Sequence, residues 1–119
     1  MLCPCCSKKL YKDCCQKYIE NKAQPTTAQA LMRSRYSAYT FSNIDYIVQT
    51  MRGKPLQGFN KKQVKLWSEQ VIWLKLDVLT VSEYMIEFKA YFMENNHEDF
   101  IYEKSYFKCN SKGWFYIGS

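Results

Sequence analysis

A chain of 119 residues provides for one domain. A 47% hydrophobic and 17% aromatic composition supports a folded core and excludes a disordered chain. No apolar run approaches the ~20 residues of a membrane span, so no membrane role is expected, and a formal net charge of +6 is too mild to signal nucleic acid by itself.

Five of the six cysteines lie in the first fifteen residues: Cys3, Cys5, Cys6, Cys14 and Cys15. Fifteen residues cannot bury a core, so the thiols are expected to hold this piece together, as a disulfide staple or as a metal site. No apolar leader stretch precedes them, and the expected compartment is therefore the reducing cytoplasm. There, closely spaced thiols read as zinc ligands, and a structural zinc site fills all four tetrahedral positions with protein ligands. Cys3 and Cys5 can supply one pair, and Cys14 with Cys15 the other. Four thiolates remove four charges and the ion restores two, which lowers the net charge to +4. Lys8, Lys9 and Lys12 stand where they offset the anionic site. The competing reading is reactive or oxidised cysteines without metal.

The run Cys3-Pro4-Cys5-Cys6-Ser7, followed by Cys14-Cys15, resembles the SEC-C motif, a short zinc-binding element of the form Cys-x-Cys-Gly-Ser with a later Cys-Cys or Cys-His. Cys6 stands where the motif has glycine, a position whose backbone conformation other residues disfavour. Its thiol also competes as a ligand, so the choice of four from five stays open. The motif spacing assigns Cys3, Cys5, Cys14 and Cys15, with Cys6 outside the metal shell.

Residues 1–20 form this cysteine element, and Asn21 to Pro25 reads as a linker. Thr26 with Gln29 is a capping-box pattern that starts a helix running to about Thr40, with Ala28, Leu31, Met32, Ala38 and Tyr39 as its apolar stripe. Ser42 with Asp45 predicts the cap of a second helix that buries Ile44, Ile47, Val48 and Met51. Gly53, Pro55 and Gly58 break the chain, and Asn60 with Gln63 begins a short third helix carrying Val64 and Trp67. After Glu69 the period becomes two. Strands are predicted over 71–81, 83–93, 100–108 and 114–117, the last two joined by the Asn110-Ser111-Lys112-Gly113 turn. Helices followed by an antiparallel meander is an α+β plan, with residues 21–119 expected to fold without the cysteine element.

Leu31 to Tyr39, Asp45-Tyr46-Ile47, Glu87 to Tyr91, Glu103 to Phe107 and Gly113 to Tyr116 resemble the YchJ-like family of bacterial proteins, a family with no assigned activity. The similarity spans nearly the whole chain. It implies a nuclear-transport-factor-like cone: a curved antiparallel sheet of about four strands wrapped on N-terminal helices, preceded by the zinc knuckle.

Such a cone usually encloses a pocket, and the helical register puts Arg35 inside the apolar stripe, four residues from both Leu31 and Tyr39. An inward arginine needs compensation, because a lone buried charge is costly. On the third strand Glu103 and Ser105 share a face with Ile101 and Phe107, so Arg35 is expected to pair with Glu103, with Ser105 nearby. The plain reading is an ion pair that fixes helix on sheet; the functional one is an anion-recognising or acid/base pocket of Arg35, Tyr39, Trp73, Glu103 and Ser105. An arginine partner favours a charged carboxylate, which argues against general-acid chemistry. His97, the only histidine, has neither a triad partner nor a second histidine and reads as a solvated turn residue, and Cys109 reads as a small buried hydrophobe. No acidic residue lies between Asp45 and Glu69, leaving Arg52, Lys54, Lys61, Lys62 and Lys65 as a basic patch for phosphate or an acidic surface, or more plainly a solvated helix face.

Two functions of different class follow. The favoured one is a zinc-binding adaptor module whose knuckle contacts a protein or ribonucleoprotein partner, as the SEC-C resemblance implies for proteins attached to larger machines. The alternative is a small-molecule-binding or enzymatic pocket inside the cone. Fold analogy alone supports an enzyme, and the paired acid/base signatures of such enzymes are absent.

Overall fold

In the computed structural model, which describes residues 1–119, Thr27 rather than Thr26 caps the long helix. Its hydroxyl accepts from the Ala30 N–H at 3.0 Å, and helix α2 runs Ala28–Thr40. Before it come a 3₁₀ turn, Tyr11–Asp13, and a single-turn helix α1, Gln16–Ile19. Asn43, not Ser42, caps α3 (Ile44–Gln49), its side chain accepting from Tyr46 N at 3.2 Å. Ser42 instead takes a left-handed conformation (φ 54°) that turns the chain between the helices. The stretch 53–58, expected only as a break, holds a one-turn helix α4, Lys54–Gln57. Asn60 caps α5 (Lys61–Gln70) through Gln63 N at 3.0 Å, as its spacing from Gln63 predicts.

Four antiparallel strands follow in simple meander order: β1 Ile72–Val81, β2 Met85–Glu94, β3 His97–Asn110 and β4 Gly113–Gly118. The third strand begins at His97, three residues before the predicted start. Asn95 and Asn96 both adopt positive φ (52° and 64°), which closes β2 onto β3 by a two-residue turn of the type whose twist suits a hairpin. β1 carries irregularities at 73–75 and 78–80, so the buried set on this strand is Leu76 with Trp73 and Val78 partly covered, not a strict alternation. The free edge of β4 is occupied by the segment after α3. Tyr116 N donates to Thr50 O and Arg52 N to Tyr116 O, each at 2.9 Å. That pairing covers an edge that would otherwise invite association.

The concave face of the sheet, with Ile86, Ala90 and Phe107, wraps α2 and α3, with Leu31, Met32, Ile44 and Ile47 buried between. The same core continues into the cysteine element through Cys3, Cys5, Cys15 and Ile19. Cys3 lies against Ser37 (Sγ–Oγ 3.5 Å), Arg33 Nη1 donates to the Cys5 carbonyl at 2.6 Å, and the Tyr11 and Phe41 rings tilt together at 5.1 Å. This packing ties the cysteine element to residues 21–119, because α2 is covered on one side by the sheet and on another by the element.

Candidate functional site

The first eleven residues form a small loop held by backbone bonds. Cys3 N donates to Lys9 O at 2.8 Å and Tyr11 N to Met1 O at 2.9 Å. This closure turns Cys3 and Cys5 inward toward Cys14 and Cys15 at the start of α1, and the four sulfurs all lie within 4.8 Å of one another. Cys5 and Cys14 are 3.7 Å apart, Cys14 and Cys15 3.9 Å. Those separations are far too long for disulfides. They match the edge of a tetrahedron with metal–sulfur bonds of about 2.3 Å, which is about 3.8 Å. Ser7 Oγ, 3.2 Å from Cys14, and Ser37 Oγ, 3.5 Å from Cys3, add hydroxyls to the outer shell. Hydrogen bonds from Cys15 and Cys5 pull the Cys3 thiol far below its usual range, and Cys15, bonded to Cys3 and Cys5 and buried, is pushed well up. Four soft sulfur donors converging this closely are a set that a divalent cation can bind as thiolates. They are the one cluster of possible metal ligands in the molecule.

Cys6 lies outside that cluster. Its φ is +64°, the conformation for which glycine is favoured, and its exposed side chain turns away, with Leu76 N approaching the sulfur at 3.4 Å. The motif's glycine position therefore keeps its backbone geometry despite the substitution.

Arg35 and Glu103 both face the space between α2 and the sheet, but they do not form the predicted ion pair: no carboxylate lies within 4 Å of Arg35. Arg35 Nη1 donates to Ile47 O at 2.9 Å and Thr50 Oγ1 at 2.7 Å, and its guanidinium sits 4.7 Å from the Tyr116 ring centroid. The physical reason is local to α3. Carbonyls of a helix's last turn lack intrahelical partners, and a cation is favoured at that end, so the guanidinium caps α3 instead of crossing to the strand. Burial holds the Arg35 guanidinium below its usual range. Glu103 takes hydrogen bonds on Oε2 from Ser105 and, at 3.0 Å, from the Tyr116 hydroxyl. Burial raises the Tyr39 and Tyr116 phenols, so both remain neutral donors near pH 7.

Trp73 lies where expected, packed edge-on to Tyr36 at 5.8 Å and tilted to Tyr39 at 6.0 Å. Sequence reasoning missed Trp67, Phe59 and Tyr116 as cavity residues. Trp67 was legible as a helix-face residue, whereas Tyr116 reaches the cavity only because 50–52 joins the β4 edge. Cys109 is exposed, not buried, because β3 runs past the helices that cover its middle. His97 is exposed at the strand start.

The basic patch is partly spent on structure. Arg52 stacks 4.1 Å over Phe115 and donates to Gln49 O and Met51 O, while Lys61 pairs with Asp45. Lys54, Lys62 and Lys65 remain exposed without an ion pair, as on a solvated face.

A cysteine knuckle clamped to a helix-and-curved-sheet cone defines the class: a SEC-C-type element on a nuclear-transport-factor-like domain. The model of the YchJ middle NTF2-like domain matches residues 27–119. A UPF0225 protein of Haemophilus influenzae is 36% identical over 97% of this chain and 75% of its own length. One from Shewanella is 37% identical over 96% of this chain and 77% of its own. The chain belongs to this YchJ-like, UPF0225 family. Two SEC-C motif containing proteins of known structure superpose on it. The one from Rhodopseudomonas palustris has a TM-score of 0.87 at 32% identity, covering 98% of this chain and 95% of that one. The one from Psychrobacter arcticus has 0.81 at 30%, covering 97% and 79%.

Proposed function

We propose that the protein is a zinc-stapled binding module. Cys3, Cys5, Cys14 and Cys15 hold one zinc ion in a closed structural site, and the outer surface of the knuckle docks on a macromolecular partner. The observation that carries the metal assignment is the convergence of four sulfurs within 4.8 Å of one another, with two of the pairs at 3.7 and 3.9 Å, close to the ~3.8 Å edge of a zinc tetrathiolate. A closed site leaves no coordination position for substrate, so the ion's role is to fix shape.

The docking reading is supported by what the knuckle leaves outside. Met1, Leu2 and Leu10 are 70%, 66% and 42% exposed, and Lys8, Lys9 and Lys12 are exposed beside them. Apolar residues ringed by lysines on a rigid, metal-fixed loop suit an acidic protein surface, or the protein component of a ribonucleoprotein. The test is a photo-crosslinking amino acid at Leu10 in the full chain in cells. The expected result is one discrete protein adduct that disappears with Leu2→Glu, a variant expected to retain fold and metal. Adducts to nucleic acid alone, or none while the protein is folded and metal-loaded, would overturn the docking reading and leave the metal assignment standing.

A further inference from the structure

Between α2 and the concave sheet lies a cavity of about 370 Å³, walled mostly by apolar and aromatic side chains. That volume is within the range of small-molecule sites. Its polar groups are few and incompletely used. Trp73 Nε1 is buried with no hydrogen-bond partner, an unusual state, since buried N–H groups nearly always find an acceptor. Arg35 uses only Nη1 on the protein, leaving Nε and Nη2 free of protein partners. Glu103 receives both its hydrogen bonds on Oε2, leaving Oε1 with none.

The arrangement of these groups restricts the occupant. Trp73 stands opposite Phe92 on one side of β2, and Glu103 opposite Phe88 on the other, so the two positions are offset by about 13 Å along β2 and stand at opposite ends of the cavity. Aromatic side chains line much of the wall, among them Trp67, which meets Trp73 edge-on at 5.4 Å. A flat ring system fits among them, where edge-to-face and offset packing are favourable. Charge narrows the choice further. An anion placed beside Arg35 meets the Glu103 carboxylate in the same poorly solvated space, and a cation beside Glu103 meets Arg35. A neutral group that donates to Glu103 and accepts from Arg35 satisfies that end of the cavity and leaves no new charge buried.

We infer that the cavity binds an uncharged, flat aromatic small molecule whose edge carries a hydrogen-bond donor beside an acceptor, the lactam or cyclic-amide class. The donor faces Glu103, the adjacent acceptor is taken by Arg35, and the ring lies among the aromatic side chains toward Trp73. The site is separate from the metal centre and stands or falls without it.

Three near-isosteric probes test this on the full, metal-loaded chain by ¹⁵N chemical-shift titration: 2-quinolinone, naphthalene and 2-naphthoate. The expected result is saturable binding of 2-quinolinone at least about tenfold tighter than either of the others, a factor that one well-placed hydrogen bond supplies. The Trp73 indole N–H resonance should move with it. Glu103→Gln should weaken 2-quinolinone about tenfold and leave naphthalene unchanged. Equal binding of naphthalene would mean a merely apolar void, tighter binding of 2-naphthoate would mean an anion site, and no saturable binding by any probe would mean no site; each overturns the proposal. If Glu103→Gln unfolds, the wild-type ranking of the three probes still decides.

Discussion

Removal of residues 1–20 probes how the knuckle and the cone depend on each other. The deletion strips four buried side chains, Cys3, Cys5, Cys15 and Ile19, from the shared core. Burying an isoleucine contributes about 1.5–3 kcal/mol and each cysteine less. The Arg33 hydrogen bond to the Cys5 carbonyl goes too, worth about 1.5–3 kcal/mol for a charged donor. The loss totals about 5–8 kcal/mol, against a whole-domain stability of about 5–15 kcal/mol. In the zinc-loaded form proposed here, metal binding drives the ordering of the first twenty residues, so deleting them recovers little entropy for the rest. At roughly 4–8 °C per kcal/mol for about 100 residues, the midpoint falls by more than about 20 °C. Thermal unfolding followed by circular dichroism on the full chain and on 21–119 measures this. A fragment that melts cooperatively within about 5 °C of the full chain would refute the shared core and restore the simpler reading of an appended knuckle.

Two further outcomes are expected. Tyr46 is pushed up to about 12 by burial, and Tyr36, Tyr39 and Tyr116 are raised by the same cause, above the ordinary phenol value near 10. The unfolded chain therefore loses these protons first. The stability they contribute is full below pH about 10 and falls as pH rises toward 12, by up to about 1.4 kcal/mol per pH unit for each phenol. Melting temperatures that stay level from pH 9 to 11.5, with phenolate absorbance rising at pH 10, would contradict the burial of these rings. Cys6→Gly should keep the full metal content and match or exceed wild-type stability by up to about 1 kcal/mol, because it relieves a positive φ and removes no ligand. Metal content and urea denaturation check it, and loss of metal would return Cys6 to the ligand set.

Much of the fold was legible where a local rule acted alone. Asn60 with Gln63 set a helix start, and period-two patterning located all four strands, because each signal depends on neighbours in sequence. The Asn95-Asn96 turn was equally local but went unread, since a polar pair before His97-Glu98-Asp99 resembles a loose loop as much as a tight hairpin. The inward placement of Arg35 and Glu103 followed from helix and strand periodicity. Their partners did not, because Arg35 donates to the carboxyl end of a different helix, and no spacing in α2 encodes where α3 stops. The cysteine set was readable from its motif. Its clamp onto α2 was not, because Ser37 and Arg33 look like ordinary helix-surface residues until the knuckle is folded against them.

We propose a single zinc ion in a shell of four cysteine sulfurs. Zinc K-edge X-ray absorption on the anaerobically purified full chain, with metal content measured on the same sample, tests it most directly. The expected result is one zinc per chain and a shell of four sulfurs at about 2.3 Å, lost together in Cys15→Ser. A protein folded without zinc, or a shell containing nitrogen or oxygen from the chain or water, would contradict it.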